Sequence, residues 1–268
     1  MSVICATYNQ QRYVRTCLDA ILAQVTDFEV EILVHDDAST DGTADILRAY
    51  AEQYPHTIRA ILRTERLYSP TKRIRLDLYR HVRGRYVALC DADDFWREPR
   101  KLAEQVAFLE KHPQCVIAYH DADIVDGDGK TIAPHARQPA TNKHFSSMHL
   151  RTFACGWIPL PAMMHRHVDL GYPPEFDLAP NSDNFLVMLL GRYGGAGYQK
   201  HIQRSAVRFH GTNYFSVRSA AEKSQMRLQT HLQMVNYLLR IGELEHAQSM
   251  ITGRLATSAN TFLKSGAS

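Results

Sequence analysis

Apolar and polar positions follow two periods along the first 120 residues. Residues 2–6 are short, apolar and β-branched, and 10–24 then carry Tyr13, Val14, Cys17, Leu18, Ile21 and Leu22 near helical spacing. Residues 28–34 predict a second strand. A helix over 41–54 follows, opened by the capping residues Ser39, Thr40 and Asp41. The same reading gives a strand at 57–62, a helix at 73–82, a strand at 86–90, a helix at 101–111 stopped by His112-Pro113, and a strand at 115–120. Strand and helix in strict alternation predict an α/β fold, with a mostly parallel central sheet flanked by helices.

The pattern loosens after that. Residues 121–157 are polar and irregular, and Asp126-Gly127-Asp128-Gly129 has the chemistry of a turn. Residues 159–165 predict a strand, 184–192 a helix and 202–209 a strand. From residue 219 two helices are predicted, broken at Ile241-Gly242-Glu243. Leu228, Leu232, Val235, Leu238 and Leu239 give the first of them an apolar face. The expected organisation is a body over 1–216, divided near residue 120, and a helical extension over 217–268.

Composition narrows the class. With 45% apolar and 22% charged residues the chain is globular rather than disordered. No apolar run approaches the ~18 residues of a membrane span. Strand-like sequence from Ser2, with no basic segment leading into an apolar one, predicts no signal peptide and a cytoplasmic protein. The five cysteines are widely spaced, with no C-x-x-C, and fit buried reduced thiols. A net charge of +3 argues against general nucleic-acid binding. That total is unevenly spread. Residues 217–268 hold six basic and three acidic residues, so the first 216 sum to zero, and residues 59–85 hold nine Lys/Arg against Glu65 and Asp77.

The chemistry sits where strands end. G-x-G-x-x-G and G-x-x-x-x-G-K-[ST] are both missing. Strand two instead runs into His35-Asp36-Asp37-Ala38-Ser39-Thr40-Asp41-Gly42-Thr43, and strand four into Asp91-Ala92-Asp93-Asp94. In an open parallel sheet both clusters, and Thr7-Tyr8-Asn9 after strand one, lie on the carboxyl edge where ligands bind. Carboxylates this close repel one another unless a cation or donors intervene, and Mg2+ or Mn2+ suits them. With the basic block just before them, they describe a diphosphate site. Each cluster also has a plainer reading. The first could be a turn and an N-cap, the second an exposed loop, and the basic block a solvated helix face. Asp126-Gly127-Asp128-Gly129 reads as a hairpin turn, since Ile132 stands where a calcium loop needs a bidentate Glu. The histidines show no zinc spacing.

Taken in order, the segments 2–9, 32–43 and 84–94 resemble glycosyltransferase family 2, as do Ser182-Asp183-Asn184-Phe185-Leu186 and Val207-Arg208-Phe209-His210-Gly211. The resemblance is specific over 2–120, looser to 216 and silent on the tail. It implies the GT-A fold and an enzyme that inverts configuration while moving a sugar from a nucleoside diphosphate, UDP first, to an acceptor hydroxyl. It also implies roles. Asp37 would meet the nucleotide base, with Thr7 and Tyr8 nearby. Asp91 and Asp93, flanking Ala92, would be the D-x-D pair at ribose and metal, with Asp94 as a substitute and His210 completing the metal or diphosphate site. Lys72, Arg73 and Arg75 would contact the diphosphate, and Asp183 would be the catalytic base. Two departures stand out: Leu67-Tyr68-Ser69-Pro70 replaces a small, Gly-rich segment, and Ser182-Asp183 replaces Glu-Asp.

The residue chemistry agrees with this. Growing charge on a leaving diphosphate needs cations, and a poorly acidic hydroxyl needs a carboxylate to take its proton. Phe153, Trp157, Tyr172 and Phe176 are aromatic candidates for the acceptor, Trp157 first. Residues 135–149 read as a lid or a long loop. The acceptor is a glycan, lipid-linked or small molecule, with surface-glycan or glycoconjugate assembly as the context. Two other classes compete. A nucleotidyltransferase of nucleotide-sugar synthesis would show a Gly-rich, Arg-containing loop after strand one, where Thr7-Tyr8-Asn9-Gln10-Gln11-Arg12 stands. A non-catalytic nucleotide- or carbohydrate-binding protein would need neither the acidic cluster nor Asp183. The tail, read as separate from the chemistry, is expected to pack on the body. The sharper alternative is that it contacts an anionic membrane surface or a second copy.

Overall fold

The computed structural model describes residues 1–66, 74–137, 143–211 and 216–265. The first half follows the sequence pattern closely: β1 (Ser2–Thr7), α1 (Val14–Leu22), β2 (Glu31–Asp36), α2 (Thr43–Gln53), β3 (Ile58–Leu62), α3 (Ile74–Tyr79), β4 (Tyr86–Leu89), α4 (Lys101–Lys111) and β5 (Cys115–Tyr119). Then come β6 (Ala122–Val125), β7 (Thr131–Ala133), α5 (Ser147–Arg151), a 3₁₀ turn (Leu160–Ala162), β8 (Met163–Arg166), α6 (Pro174–Asp177), α7 (Ser182–Leu190), β9 (Gly195–Tyr198) and β10 (Ser205–Arg208). The chain closes with α8 (Ala220–Arg240), α9 (Leu244–Met250), a π-helical turn (Ile251–Leu255) and α10 (Ala256–Ser265).

Seven strands form the main sheet in the order β3-β2-β1-β4-β8-β5-β9. Every ladder in it is parallel except the two made by β8, which runs against β4 and β5. Successive side chains of a strand face opposite sides, so both sides of this sheet must be covered. Val3, Cys5, Ile32, Val34 and Ala88 pack under α1, α2 and α4 with Val14, Leu18, Leu47 and Leu102. Ile4, Leu33, Val87 and Leu89 face the other way, toward Leu78, Phe185, Leu189, Met234 and Leu238. The C-terminal helices are therefore part of the second core. Val235 and Leu238 are buried in it, while Leu232 and Leu239 stay exposed. No described helix is long and apolar enough to cross a membrane. All five cysteines are buried and free.

The segment expected to be irregular, 121–157, contains β6, β7 and α5. Its strand was masked by carboxylates that the fold buries. Asp123 accepts from Arg97 at 2.6 Å and from Arg204 at 2.5 Å, and Asp121 meets His135 at 2.6 Å. β6 and β7 form the hairpin turned at Asp126–Gly129, and with β10 they make a second, three-stranded sheet, β10-β6-β7. The unexpected strand β9 reads Gly-Ala-Gly-Tyr, with little strand propensity. A Cβ on Gly195 would sit 2.3 Å from the Phe145 carbonyl oxygen, and one on Gly197 would sit 2.0 Å from the Phe108 ring. Close approach, not propensity, selects these glycines.

Candidate active site

Parallel registry brings the three loops together. Thr7 pairs with Asp36 at the ends of β1 and β2, and the N–H of Asp37 donates to the Thr7 carbonyl at 3.1 Å. On the other side of β1, the N–H of Ala92 donates to the Ala6 carbonyl at 3.1 Å. The turn after β4 is thus held against the end of β1, and the two acidic clusters flank one strand end.

The loops are stitched by side chains. The Asn9 N–H donates to Ser39 Oγ at 2.8 Å, the Thr40 N–H to Asn9 Oδ1 at 2.8 Å, and the Gln10 N–H to Thr43 Oγ1 at 2.9 Å. Asn9 and Ala38 both lie in the left-handed region, at φ 52° and 58°. Asn tolerates this readily. Ala does so at a local cost of about 1–2 kcal/mol, which the surrounding bonds must offset. The Ser39-Thr40-Asp41 run was expected to open the helix after β2. Only Asp41 does so: its Oδ1 accepts the N–H of Thr43, the first residue of α2, at 2.9 Å, while Ser39 and Thr40 bind this loop junction and the N-cap position itself is Gly42.

A cavity of about 870 Å³ opens at this edge. Thr7, Tyr8, Asp37, Asp91, Asp93 and Asp94 line it, and so do Trp157 and Asp183. The carboxylate of Asp37 is fully buried and lies 3.7 Å from Arg66, whose guanidinium sits 3.9 Å from the centroid of the Tyr8 ring. Thr7 Oγ1 and Gln10 Oε1 are buried on the cavity wall without a hydrogen-bond partner among the described residues. Such atoms are left for a ligand or water to satisfy.

The three carboxylates after β4 differ. Asp94 is buried and accepts the Arg208 N–H at 2.9 Å. Burial, then the charge of Asp93, pushes its carboxyl well above the usual carboxylate range. Asp93 points at His210, Oδ2 to Nε2 at 3.1 Å. The imidazole is held by Tyr13, at a centroid separation of 4.6 Å. Arg208 Nε donates to the Asp93 carbonyl at 2.8 Å, and Nη1 to the Gly127 carbonyl at 2.8 Å, so the acidic turn is clamped to the β6–β7 hairpin. Ala92 is buried behind the wall. Among the described residues no group of three or more His, Cys, Asp or Glu side chains surrounds one point. Asp93 and His210 nonetheless fit a divalent ion, since Mg2+ and Mn2+ are commonly held by one or two protein groups plus substrate phosphates.

Asp183 arrives from a different element. It lies in the first turn of α7, half-buried, on the same cavity. Trp157, Phe153 and Phe176 line the cavity too. Phe153 and Phe176 are buried, Trp157 half-buried. Tyr172 packs instead into an aromatic cluster, 5.1 Å from Phe176 and 5.7 Å from Tyr79. Lys72, Arg73 and the side chain of Arg75 lie outside the described residues, as do part of the 135–149 segment and residues 67–70.

The basic block does not act as a unit. Arg63 pairs with Asp77, Arg83 with Glu31 and Arg85 with Glu110, and its cation on the cavity among the described residues is Arg66. Sequence reasoning missed Arg66 and Gln10, and nothing in their local pattern sets them apart. It also kept the tail apart from the chemistry. The structure corrects that: α8, the π turn and α10 form one wall of the cavity, with Arg227, His231, Arg254 and Ser258 on it.

Known proteins resemble this chain. Rv1520 of Mycobacterium tuberculosis is 40% identical over 131 residues, 48% of this chain and 37% of that protein. The chain thus spans well under half the length of the first curated relatives it matches. The uncharacterized glycosyltransferase alr2836 of Nostoc is 28% identical over 258 residues, covering 90% of this chain and 76% of that one. Among solved structures, S. aureus TarS 1–349 in complex with UDP-GlcNAc superposes with a TM-score of 0.66 at 18% identity, over 98% of this chain and 72% of that one. The mannosyltransferase PcManGT of Pyrobaculum calidifontis, in complex with GDP-Man and Mn2+, gives 0.55 at 18% identity, over 100% and 75%. These two show likeness of fold, the GT-A architecture that the resemblance implied. The family model of glycosyl transferase family 2 matches residues 2–161, more than half of the sequence, and the chain belongs to that family.

Proposed function

We propose that the protein is a metal-assisted, inverting glycosyltransferase that moves a sugar from a nucleoside-diphosphate donor, a UDP-sugar first, to an acceptor hydroxyl. One observation carries this reading. A buried carboxylate beside an aromatic (Asp37, Tyr8), a carboxylate backed by a buried imidazole (Asp93, with His210 behind it) and a separate carboxylate (Asp183) line one cavity, His210 itself standing outside the lining. The nucleotide complexes of TarS and PcManGT, and the Mn2+ of the latter, support a donor of this class.

In this reading Asp37 accepts a hydrogen bond from the base, which Thr7 Oγ1 and Gln10 Oε1 help to orient. Tyr8, with Arg66 on its ring, forms one side of the base site. Asp91 faces the ribose. Asp93 and His210 would hold the divalent ion, which when bound offsets charge on the leaving diphosphate. Asp94, given over to the Arg208 N–H, sets the turn. Lys72, Arg73 and Arg75 remain candidates for the diphosphate on grounds of resemblance. Asp183 accepts the acceptor's hydroxyl proton as its oxygen attacks the anomeric carbon. The bond to the diphosphate breaks on the opposite face, which inverts configuration. One base set apart from the donor's acidic cluster suits a single displacement. The body over 1–216 carries the donor chemistry, and Trp157 stacks on the acceptor.

A thermal-shift panel of nucleoside diphosphates and their sugars, with Mn2+ and with chelator, tests this. The matching nucleotide should raise Tm in the presence of the ion. A chain that responds to none of them contradicts the reading, and equal responses in chelator contradict the metal assignment.

A further inference from the structure

The tail's wall of the cavity has a chemistry of its own. Arg254 in the π turn donates from Nη2 to the Ala154 carbonyl at 2.7 Å and lies 5.8 Å from the centroid of the Phe153 ring. Its guanidinium is therefore fixed against the segment that also presents Trp157. Arg227 of α8 lines the same cavity. Neither forms an ion pair with a carboxylate among the described residues. Their neighbour His231 is buried, with Nδ1 2.8 Å from Ser258 Oγ. Burial, then the charge of Arg254, lowers its pKa to about 4, so it is neutral near pH 7 and adds no charge. The C-terminal helices bring no carboxylate to the cavity, and Asp183 is the one acid among its described lining residues from the second half of the chain.

A neutral sugar needs hydroxyl partners and an aromatic face, and this cavity has both without the arginines. Two guanidiniums on a cavity wall with no carboxylate partner among the described residues are an arrangement that an oxyanion completes. The planar fork suits phosphate or carboxylate, and a cation already held in place loses little freedom on binding. We infer that the acceptor is anionic: a sugar unit carrying a phosphate or a carboxylate, gripped by Arg227 and Arg254 while its hydroxyl is presented to Asp183. This rests on the glycosyl-transfer reading and adds the charge of its acceptor. It also places two of the tail's six basic residues at the reaction site.

Calorimetric titration of the full chain, with UDP and Mn2+ present to fill the donor end, tests the inference. The probes are glucose 6-phosphate, glucuronate and methyl glucoside, with inorganic phosphate as a control for the anion alone. At least one charged sugar should bind, more tightly than methyl glucoside. Which of the two it is distinguishes phosphate from carboxylate. Arg227→Gln and Arg254→Gln should each weaken that binding by about tenfold or more, with the thermal response to UDP unchanged. Arg227 is exposed, so its variant keeps the test open if Arg254→Gln folds poorly. Equal responses to charged and neutral sugars, or charged binding that survives in the double variant, would overturn the inference. The thermal response to UDP separately decides the donor reading.

Discussion

Thr230 Oγ1 accepts a 2.9 Å hydrogen bond from the backbone N–H of Asn181, the residue that opens the helix carrying Asp183. The same hydroxyl donates to the Met226 carbonyl at 2.9 Å, so α8 holds the start of α7 through one buried side chain. Thr230→Val keeps the shape and removes the acceptor. Its expected effect is a loss of about 1–2 kcal/mol in stability, because a buried N–H is left unpaired. Steady-state kinetics should show a fall of about tenfold in kcat with little change in donor KM. A donor KM that rises while kcat holds would place Thr230 at the donor end instead.

Asp93 and His210 should act as a pair toward the divalent ion. Asp93→Ala and His210→Ala are each expected to weaken Mn2+-dependent nucleoside-diphosphate binding by about tenfold or more. Calorimetry on the double variant should show less than the summed loss, since either change already breaks the pair. Strict additivity would mean that the two side chains do not share a ligand.

Lys101 offers a test that is separate from catalysis. It is fully buried, with Nζ 2.8 Å from Gln105 Oε1 and 4.2 Å from the centroid of the Trp96 ring. Burial lowers its pKa from 10.5 to about 7. Between about pH 7 and pH 10.5 the unfolded chain therefore binds more protons than the folded one, and stability rises with pH through that window. The penalty is fully present below about pH 7 and gone above the unfolded value. Lys101→Met should raise Tm by several degrees near neutrality, with the gain shrinking toward pH 10. A gain independent of pH would point to packing alone.

Gly195→Ala should destabilise the β5–β9 edge. Its Cβ would meet the Phe145 carbonyl oxygen at 2.3 Å, and that backbone is fixed by hydrogen bonds of 2.8 Å between Phe145 and Ala196 in both directions. A loss of about 1–3 kcal/mol is expected, read as a lower midpoint in urea. An unchanged midpoint would show that the edge can shift.

The first half of the chain was legible because its strands are buried on both faces and read as apolar runs, and because their carboxyl ends carry acids that turns alone do not need. Asp37, Asp91 and Asp93 could be singled out for that reason, and Asp183 by the family resemblance alone; all four line one cavity. The expected hairpin turn at Asp126–Gly129 is present, and the break near Gly242 separates α8 from α9. Other features depended on tertiary context. β6 looked polar because Asp123 is neutralised by arginines far along the chain, and β9 looked like loop because its glycines serve packing. Arg66, Arg227 and Arg254 had no local mark that set them apart from solvated cations. The tail looked like an appendage because periodicity shows that a helix has an apolar face and not which surface covers it.

In the proposed mechanism Asp183 takes the acceptor's proton while the donor is held elsewhere. Turnover and UDP-sugar affinity measured side by side for Asp183→Asn test it most directly. The variant should bind the donor as the wild type does, in the presence of Mn2+, and lose transfer by about a thousandfold or more. Near-normal turnover with intact donor binding would contradict the account.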